Sequence, residues 1–364
     1  MVNLVVAVAA GSLTILTIYW LVILVKILGY KSKTKREQPV SVIVCAHNEL
    51  ENLKTLIPKL LSQEHNDFEV IIVDDRSDDG TYDYLLENKS DKLKFARVDQ
   101  VHDHINAKKF ALTMGIKAAS NDILLLTDAD CEPSSSQWIK EMTGTFTKET
   151  DFVLGLSPYE KGKGFLGHFI QFETQWTAMN YMGFALAGNP YMGVGRNLAY
   201  RKSAFLNNKG FSKIQHVTGG DDDLLVNELA NKKNTRLTIG SESLTYSIPK
   251  TTWSEYLAQK TRHWSVGKYY RLKDKILLGL QNVSNLVFWL ALIILAVQTN
   301  NYFIPAGLLI FRMVFITILV NSTSKKFGYR MNIWLVPMMD ILYAGYASIF
   351  GTIALFTKKV RWKK

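Results

Sequence analysis

Carboxylates cluster at several places in this chain, each where an apolar run gives out. Asp128-Ala129-Asp130 sets two acids at i and i+2 directly after Ile123–Thr127. Hard divalent cations take oxygen ligands, and Mg2+ commonly uses one or two carboxylates together with substrate phosphates. Asp128 and Asp130 are therefore candidate ligands for Mg2+ or Mn2+. Asp74-Asp75-Arg76-Ser77-Asp78-Asp79 follows a second apolar run. A carboxylate at Asp75 suits hydrogen bonds from a ribose or base, whereas Asp78 and Asp79 suit turn and cap positions. Gly219-Gly220-Asp221-Asp222-Asp223 crowds three acids before a helical pattern. Asp221 or Asp222 could take a proton from an attacking hydroxyl, and Asp223 suits the positive end of the following helix dipole. Gln259-Lys260-Thr261-Arg262-His263-Trp264 lies in a stretch rich in aromatics and cations. Arg262 could supply a fixed charge to a leaving diphosphate. Its neighbours Trp253, Tyr269, Tyr270 and Arg271 suit a membrane interface.

The elements that must position these groups can be read from periodicity. Val40–Ala46, Phe68–Val73, Lys94–Val98 and Ile123–Thr127 read as strands, and Asn52–Leu61, Asp79–Glu87 and Ala107–Ala119 as helices between them. Strands alternating with helices predict an α/β domain with a parallel sheet covered on both faces. In open sheets of this kind ligands bind beyond the carboxyl ends of the strands. Those ends are where Asn48, Asp75, Asp128 and Asp130 fall. Gly164–Leu186 carries Phe165, Phe169, Phe172 and Trp176 at helical spacing, as a core stripe or as an interfacial helix that guides a lipidic acceptor. Gly193–Asn197 is a flexible polar turn. The GxGxxG, Walker A, HExxH and GxSxG signatures are absent, so dehydrogenase, P-loop, zincin and hydrolase readings lack their motifs. Cys45 and Cys131 lie in apolar stretches without a CxxC pattern, which predicts two buried free thiols in a reducing compartment.

The chain has 364 residues and a formal net charge of +11, which invites a nucleic-acid reading. The distribution argues against it. Residues 31–37 carry +3, residues 325–330 carry +3 and residues 358–364 carry +5, while residues 38–275 carry −1. The excess sits where apolar segments end. Residues 2–28 are mostly apolar and carry no charge except Lys26, enough to span a hydrocarbon core of roughly 30 Å. Cations follow this run, which predicts a retained anchor with the next domain in the cytoplasm. Three more apolar segments lie at about 276–298, 302–321 and 333–356. Arg312 and Asp340 interrupt them and are expensive in lipid unless paired or facing a cavity, so either an Arg312–Asp340 pair or an Arg312 contact with an anionic acceptor headgroup is expected. The last segment contains Pro337, Gly345 and Gly351 and precedes the +5 tail. It is expected to be broken, partly interfacial or re-entrant, with its C-terminus inside.

Taken together, these motifs resemble the membrane-bound branch of the inverting, nucleotide-sugar-dependent glycosyltransferase family 2, which includes ceramide glucosyltransferases and polysaccharide synthases. The resemblance covers roughly residues 39–264. SVIVCAHNE resembles the opening donor-binding strand, VDDRSDDGT the motif whose Asp75 would contact uridine, and LLLTDADCEP the metal-binding region. Ala107 replaces the glycine that often precedes the donor lysine, and His263 stands where the family usually has Trp, with Trp264 one place later.

The resemblance implies a GT-A fold, Rossmann-like in its nucleotide-sugar-binding sheet. It implies donor contacts at Ala46, Asn48, Glu49, Asp75, Lys108, Lys109 and Asp128, with Mg2+ or Mn2+ at Asp128 and Asp130. Catalytic roles fall on Asp221 or Asp222, on Arg262 and on Gln259, and acceptor contacts on Arg196, Asn197, His263 and Trp264. The expected layout is an anchor over 1–30, a cytoplasmic GT-A domain over 38–250, an interfacial helix over 251–275 and a membrane region over 276–364. The expected activity is transfer of a hexose from a nucleotide-diphosphate sugar, a UDP-sugar by the motif match, to a lipid or lipid-linked acceptor at the cell membrane. Partners are the donor, the acceptor and the membrane, and no nucleic acid. The alternatives are a processive polysaccharide synthase and an inactive scaffold or lipid-binding protein on the same fold.

Overall fold

The computed structural model describes residues 1–32, 37–100, 106–299 and 301–356. Cationic residues 33–36 and the tail 358–364, with the expected placement of the C-terminus, lie outside the described residues.

The chain opens with α1 (Val2–Gly29), followed by β1 (Val40–Ala46), α2 (Leu50–Leu61), β2 (Phe68–Asp75), α3 (Thr81–Glu87), β3 (Leu93–Val98), α4 (Ala107–Ala118) and β4 (Ile123–Asp128). Next come β5 (Cys131–Pro133), α5 (Trp138–Thr143), β6 (Phe152–Leu154), α6 (Gly164–Leu186), β7 (Leu198–Arg201), α7 (Lys202–Asn207) and α8 (Asp223–Leu229). β8 (Thr235–Leu237), β9 (Thr245–Ser247), α9 (Trp253–Val266), α10 (Leu272–Gln298), α11 (Phe303–Phe327) and α12 (Val336–Phe356) complete it. Contacts divide these into a sheet unit, Lys31–Glu160 with Gly188–Pro249, and a helical unit, Met1–Tyr30 with Lys161–Ala187 and Lys250–Lys364. The expected continuous block 38–250 thus contains one segment, residues 161–187, that packs with the apolar helices.

In the sheet unit the strand order is β3-β2-β1-β4-β7-β6-β8. The first four strands are parallel, as expected. The sheet is nevertheless mixed, because β7 runs antiparallel to both β4 and β6. β2 is buried at every position and β1 at all but Cys45, which fits their unbroken apolar runs with helices on both faces. α2 presents Leu53, Leu56, Ile57 and Leu60 to the core at helical spacing. α4 comes so close to the sheet that a Cβ on Gly115 would lie 2.8 Å from Ile43 and Val73. Cross-strand register sets Ala46 beside Asp74 and Cys45 beside Asp128, so the carboxyl ends of β1, β2 and β4 finish level.

In the helical unit, α1, α10, α11 and residues 333–353 are long and apolar enough to cross a membrane. α6 is buried along most of its length and carries Glu173, Gln175 and Asn180 inward. Gln175 Nε2 donates to Thr323 Oγ1 at 2.7 Å, and the Tyr19 hydroxyl donates to Asn180 Oδ1 at 2.6 Å. Trp176 meets Trp20 edge-on at 4.5 Å. α6 is therefore a core helix of this unit, and the interfacial alternative falls away. The break expected in the last segment is also absent: α12 runs continuously over Val336–Phe356. Pro337 lies in its first turn, where the missing N–H costs nothing. Asp340 is consumed by Arg312, whose Nε and one terminal nitrogen bond its two oxygens at 2.7 and 2.9 Å. The same guanidinium donates to Asn285 Oδ1 at 2.6 Å and lies over the rings of Phe288 and Trp289.

Candidate active site

A cleft opens beyond the carboxyl ends of β1 and β4, lined by Cys45, Lys108, Asp128, Gly195, Asp221 and Asp222 among others. Lys108 comes from the first turn of α4, whose Asn106 cap accepts a hydrogen bond from the Lys109 amide. The Lys108 ammonium stands 3.0 Å from Asp128 and 3.6 Å from Asp221. Burial disfavours its charge, yet Asp128, Asp221 and Asp222 outweigh burial and hold its pKa well above the usual lysine value. Lys109 is its opposite. It is buried and donates to the Val217 and Gly219 carbonyls, pinning the backbone just before the acidic triplet. Burial pulls its pKa down.

Within the triplet the cap on α8 is Asp222. Its Oδ1 accepts from the Asp223 amide at 2.8 Å, so Asp223 is not the cap but the first helical residue. Asp222 Oδ2 accepts from the Gly195 amide at 2.6 Å. Desolvation, then the neighbouring Asp221, pushes its pKa up. Asp221 is also buried and faces Lys108.

Asp75 ends β2 and is buried, its carboxylate held by Arg76 Nε at 2.8 Å. The next loops brace each other. The Asn48 side chain accepts from the Asp78 amide, Asp79 accepts from the Leu50 and Thr81 amides, and the His47 ring bonds the Asp75 carbonyl. Asn48 and Arg76 both take the left-handed conformation, which an asparagine tolerates well. Ala46 is buried at the end of β1, and Glu49 accepts from Asn52 at 2.5 Å. Asp128 and Asp130 provide hard oxygen donors whose chemistry fits Mg2+ or Mn2+. No group of three or more His, Cys, Asp or Glu suited to a metal occurs among the described residues. Asp130 lies outside the cleft lining, and its carboxylate accepts from the Cys131 thiol at 3.5 Å.

The expected acceptor residues separate. Arg196 is stacked on Tyr159 at 4.4 Å and donates to the Ser157 carbonyl. Asn197 is fully buried: its Nδ2 donates to the Leu156 and Ser243 carbonyls and its Oδ1 accepts from the Trp138 indole. Those three bonds make it an internal brace and remove it as an acceptor contact. Gln259, Arg262, His263 and Trp264 lie on α9 in the helical unit. Gln259 Oε1 is buried with no hydrogen-bond partner among the described residues. His263 is exposed, whereas Trp264 packs edge-on against Tyr346 at 5.8 Å and over Gly351 of α12. Of the two thiols only Cys131 is fully buried. Cys45, next to the end of β1, lines the cleft and is partly exposed, and desolvation pushes its pKa up to about 12. The sequence marked Gly193–Asn197 as a polar turn but held no signal that the Gly195 amide bonds Asp222, 27 positions away; Cys45 could have been found from its register opposite Asp128.

A mixed α/β sheet with carboxylates at the carboxyl ends of its parallel strands and a lysine on the facing helix fits the GT-A class of glycosyltransferase fold. The family model for glycosyl transferase family 2 matches residues 41–207, and that for glycosyl transferase family group 2 matches residues 135–349. The chain belongs to this glycosyltransferase family. Over 106 residues it is 30% identical to a poly-beta-1,6-N-acetyl-D-glucosamine synthase of Staphylococcus epidermidis, covering 29% of this chain and 25% of that one. Over 136 residues it is 28% identical to a 4,4'-diaponeurosporenoate glycosyltransferase of Staphylococcus haemolyticus, covering 36% of each. The chain thus spans only about a quarter to a third of these relatives. A mannosyltransferase of Pyrobaculum calidifontis, solved with GDP-Man and Mn2+, shares the fold with a TM-score of 0.66 and 15% identity, covering 99% of this chain and 100% of that one.

Proposed function

We propose that the protein is an inverting glycosyltransferase that moves one sugar from a nucleotide-diphosphate sugar, a UDP-sugar by its motifs, to a lipid or lipid-linked acceptor at the cytoplasmic face of a membrane. The observation that carries this is the convergence of Lys108, Asp128 and Asp221 in one cleft at the strand ends. Asp75 and the loops at Ala46, Asn48 and Glu49 would hold the nucleoside. Of the two lysines expected at the donor, Lys108, which faces the cleft carboxylates, would meet the diphosphate, whereas Lys109 bonds two backbone carbonyls. A divalent ion at Asp128 and Asp130, when bound, would neutralise charge on the leaving diphosphate. Asp221 or Asp222 would take the acceptor hydroxyl proton while the acceptor oxygen bonds to the anomeric carbon and the bond to the diphosphate breaks. Attack from the far side inverts the anomeric carbon. Gln259 and Arg262 would assist the transfer. Four helices among the described residues that are long and apolar enough to cross a membrane, and the Lys/Arg runs at their flanks, support a membrane acceptor and a cytoplasmic catalytic domain.

The test is the purified protein in liposomes with a UDP-sugar, Mn2+ and lipid extract. The expected result is a glycolipid carrying one sugar with an anomeric configuration opposite to the donor. A retained configuration contradicts the mechanism, and a ladder of products replaces single transfer with processive synthesis.

A further inference from the structure

α9 carries a charged residue between Gln259 and Arg262 that the proposed chemistry does not use. Lys260 is 7% exposed and forms an ion pair with Glu173 of α6, itself 2% exposed. Thr177 donates to the other Glu173 oxygen at 3.3 Å, and the Lys260 ammonium lies 5.6 Å from the Tyr256 ring centre. One turn earlier on both helices, Phe169 meets Tyr256 edge-on at 6.0 Å. The step from one contact to the next is four residues on α6 and four on α9, so the two helices run side by side in the same sense here.

From this we infer that Glu173 and Lys260 are positioning residues that fix the register and rotation of α9. The inference rests on the reading that Gln259 and Arg262 take part in sugar transfer. A slide of α9 by one turn, about 5.4 Å, would set Lys260 against Phe169 and leave two buried charges without partners. Unpaired buried charge is far costlier than a lost apolar contact, and the best-attested use of a buried polar pair is to select one register. Aromatic contacts alone tolerate such a slide better, because Tyr256 and Trp264, one turn to either side of Lys260, both pack on Tyr346. Each helical residue is turned by about 100° from the last, so holding Lys260 against Glu173 also holds Gln259 and Arg262 at set angles around the axis. Gln259 Oε1, buried without a hydrogen-bond partner among the described residues, is then kept at one angle on α9.

The experiment uses the full chain in liposomes with the variants Glu173→Gln, Lys260→Met, Lys260→Arg and the exchanged pair Glu173→Lys with Lys260→Glu. kcat per folded protein, KM for the UDP-sugar and the melting temperature are measured for each. Glu173→Gln and Lys260→Met are expected to lower kcat about 10- to 100-fold, the scale of a small misplacement of reacting groups. KM for the donor is expected to stay put, and Lys260→Arg or the exchanged pair should recover much of the loss. Unchanged kcat per folded protein, a loss that only follows the folded fraction, or no recovery in either rescue variant overturns the inference. Gln259→Ala and Arg262→Ala are assayed beside them. If those two keep full activity, the reading of α9 in transfer is what fails; if they lose activity while Glu173→Gln and Lys260→Met keep it, the positioning role alone fails.

Discussion

The Lys108 ammonium faces Asp128 and Asp221, whereas the next residue, Lys109, turns inward to two carbonyls. Adjacent helical residues point about 100° apart, so one reaches the cleft and the other the loop beneath it. A comparable division separates the two candidate bases. Asp222 accepts two backbone amides, while Asp221 faces the lysine. Asp221→Asn and Asp222→Asn are both expected to cut turnover sharply while donor affinity, measured by calorimetry, stays nearly intact. At Asp222 the loss of one accepted amide bond, about 1 kcal/mol, is offset by removing a buried charge that desolvation and Asp221 disfavour, so both variants should melt close to wild type. Full activity in both variants removes the base from this triplet. The triplet was legible because three adjacent like charges need a reason. The cap inside it was not, since Asp222 is chosen by the Gly195 amide, 27 positions away. Asn197 is the same case: its partners lie 41, 46 and 59 positions off, and nothing local marks it as a brace.

Among the elements, β1, β2 and β4 were readable because strands buried on both faces are continuous apolar runs with polar ends. β6 and β8 are three-residue strands and β7 has four, too short to show a period, so the far part of the sheet, with its antiparallel β7, went unseen. One pH effect belongs at this scale. Glu69 on β2 is buried but accepts from Lys94, Ser41 and the Ser120 amide, which outweigh desolvation and hold its carboxyl below the usual 4.5. A depressed carboxyl stabilises the fold fully above its unfolded pKa, and that share is lost as pH falls through the lower folded value. Acid melting from pH 6 to about pH 3 should therefore be steeper for the wild type than for Glu69→Gln. Equal slopes would show that the network does not hold β2.

At the scale of the molecule, the surplus charge and the apolar helices belong together. The pairing of Arg312 with Asp340 was foreseeable because a charge inside an apolar segment demands a partner. The continuity of α12 was not, because Pro337 reads as a breaker until its place in the first turn is known. Arg312→Ala should destabilise the helical unit by about 3–5 kcal/mol by stranding Asp340, seen as a lower melting temperature in detergent. Replacing both partners with Arg312→Met and Asp340→Leu should recover most of that loss, and an unaltered single variant would show that the pair does not bind the helices. The central claim, single-sugar transfer to a membrane lipid, is tested most directly by mass spectrometry of lipids from cells with the wild-type protein and with Asp221→Asn plus Asp222→Asn. The account predicts one lipid class heavier by a single sugar residue in wild-type cells and missing from the variant. Identical lipid spectra in the two would contradict it.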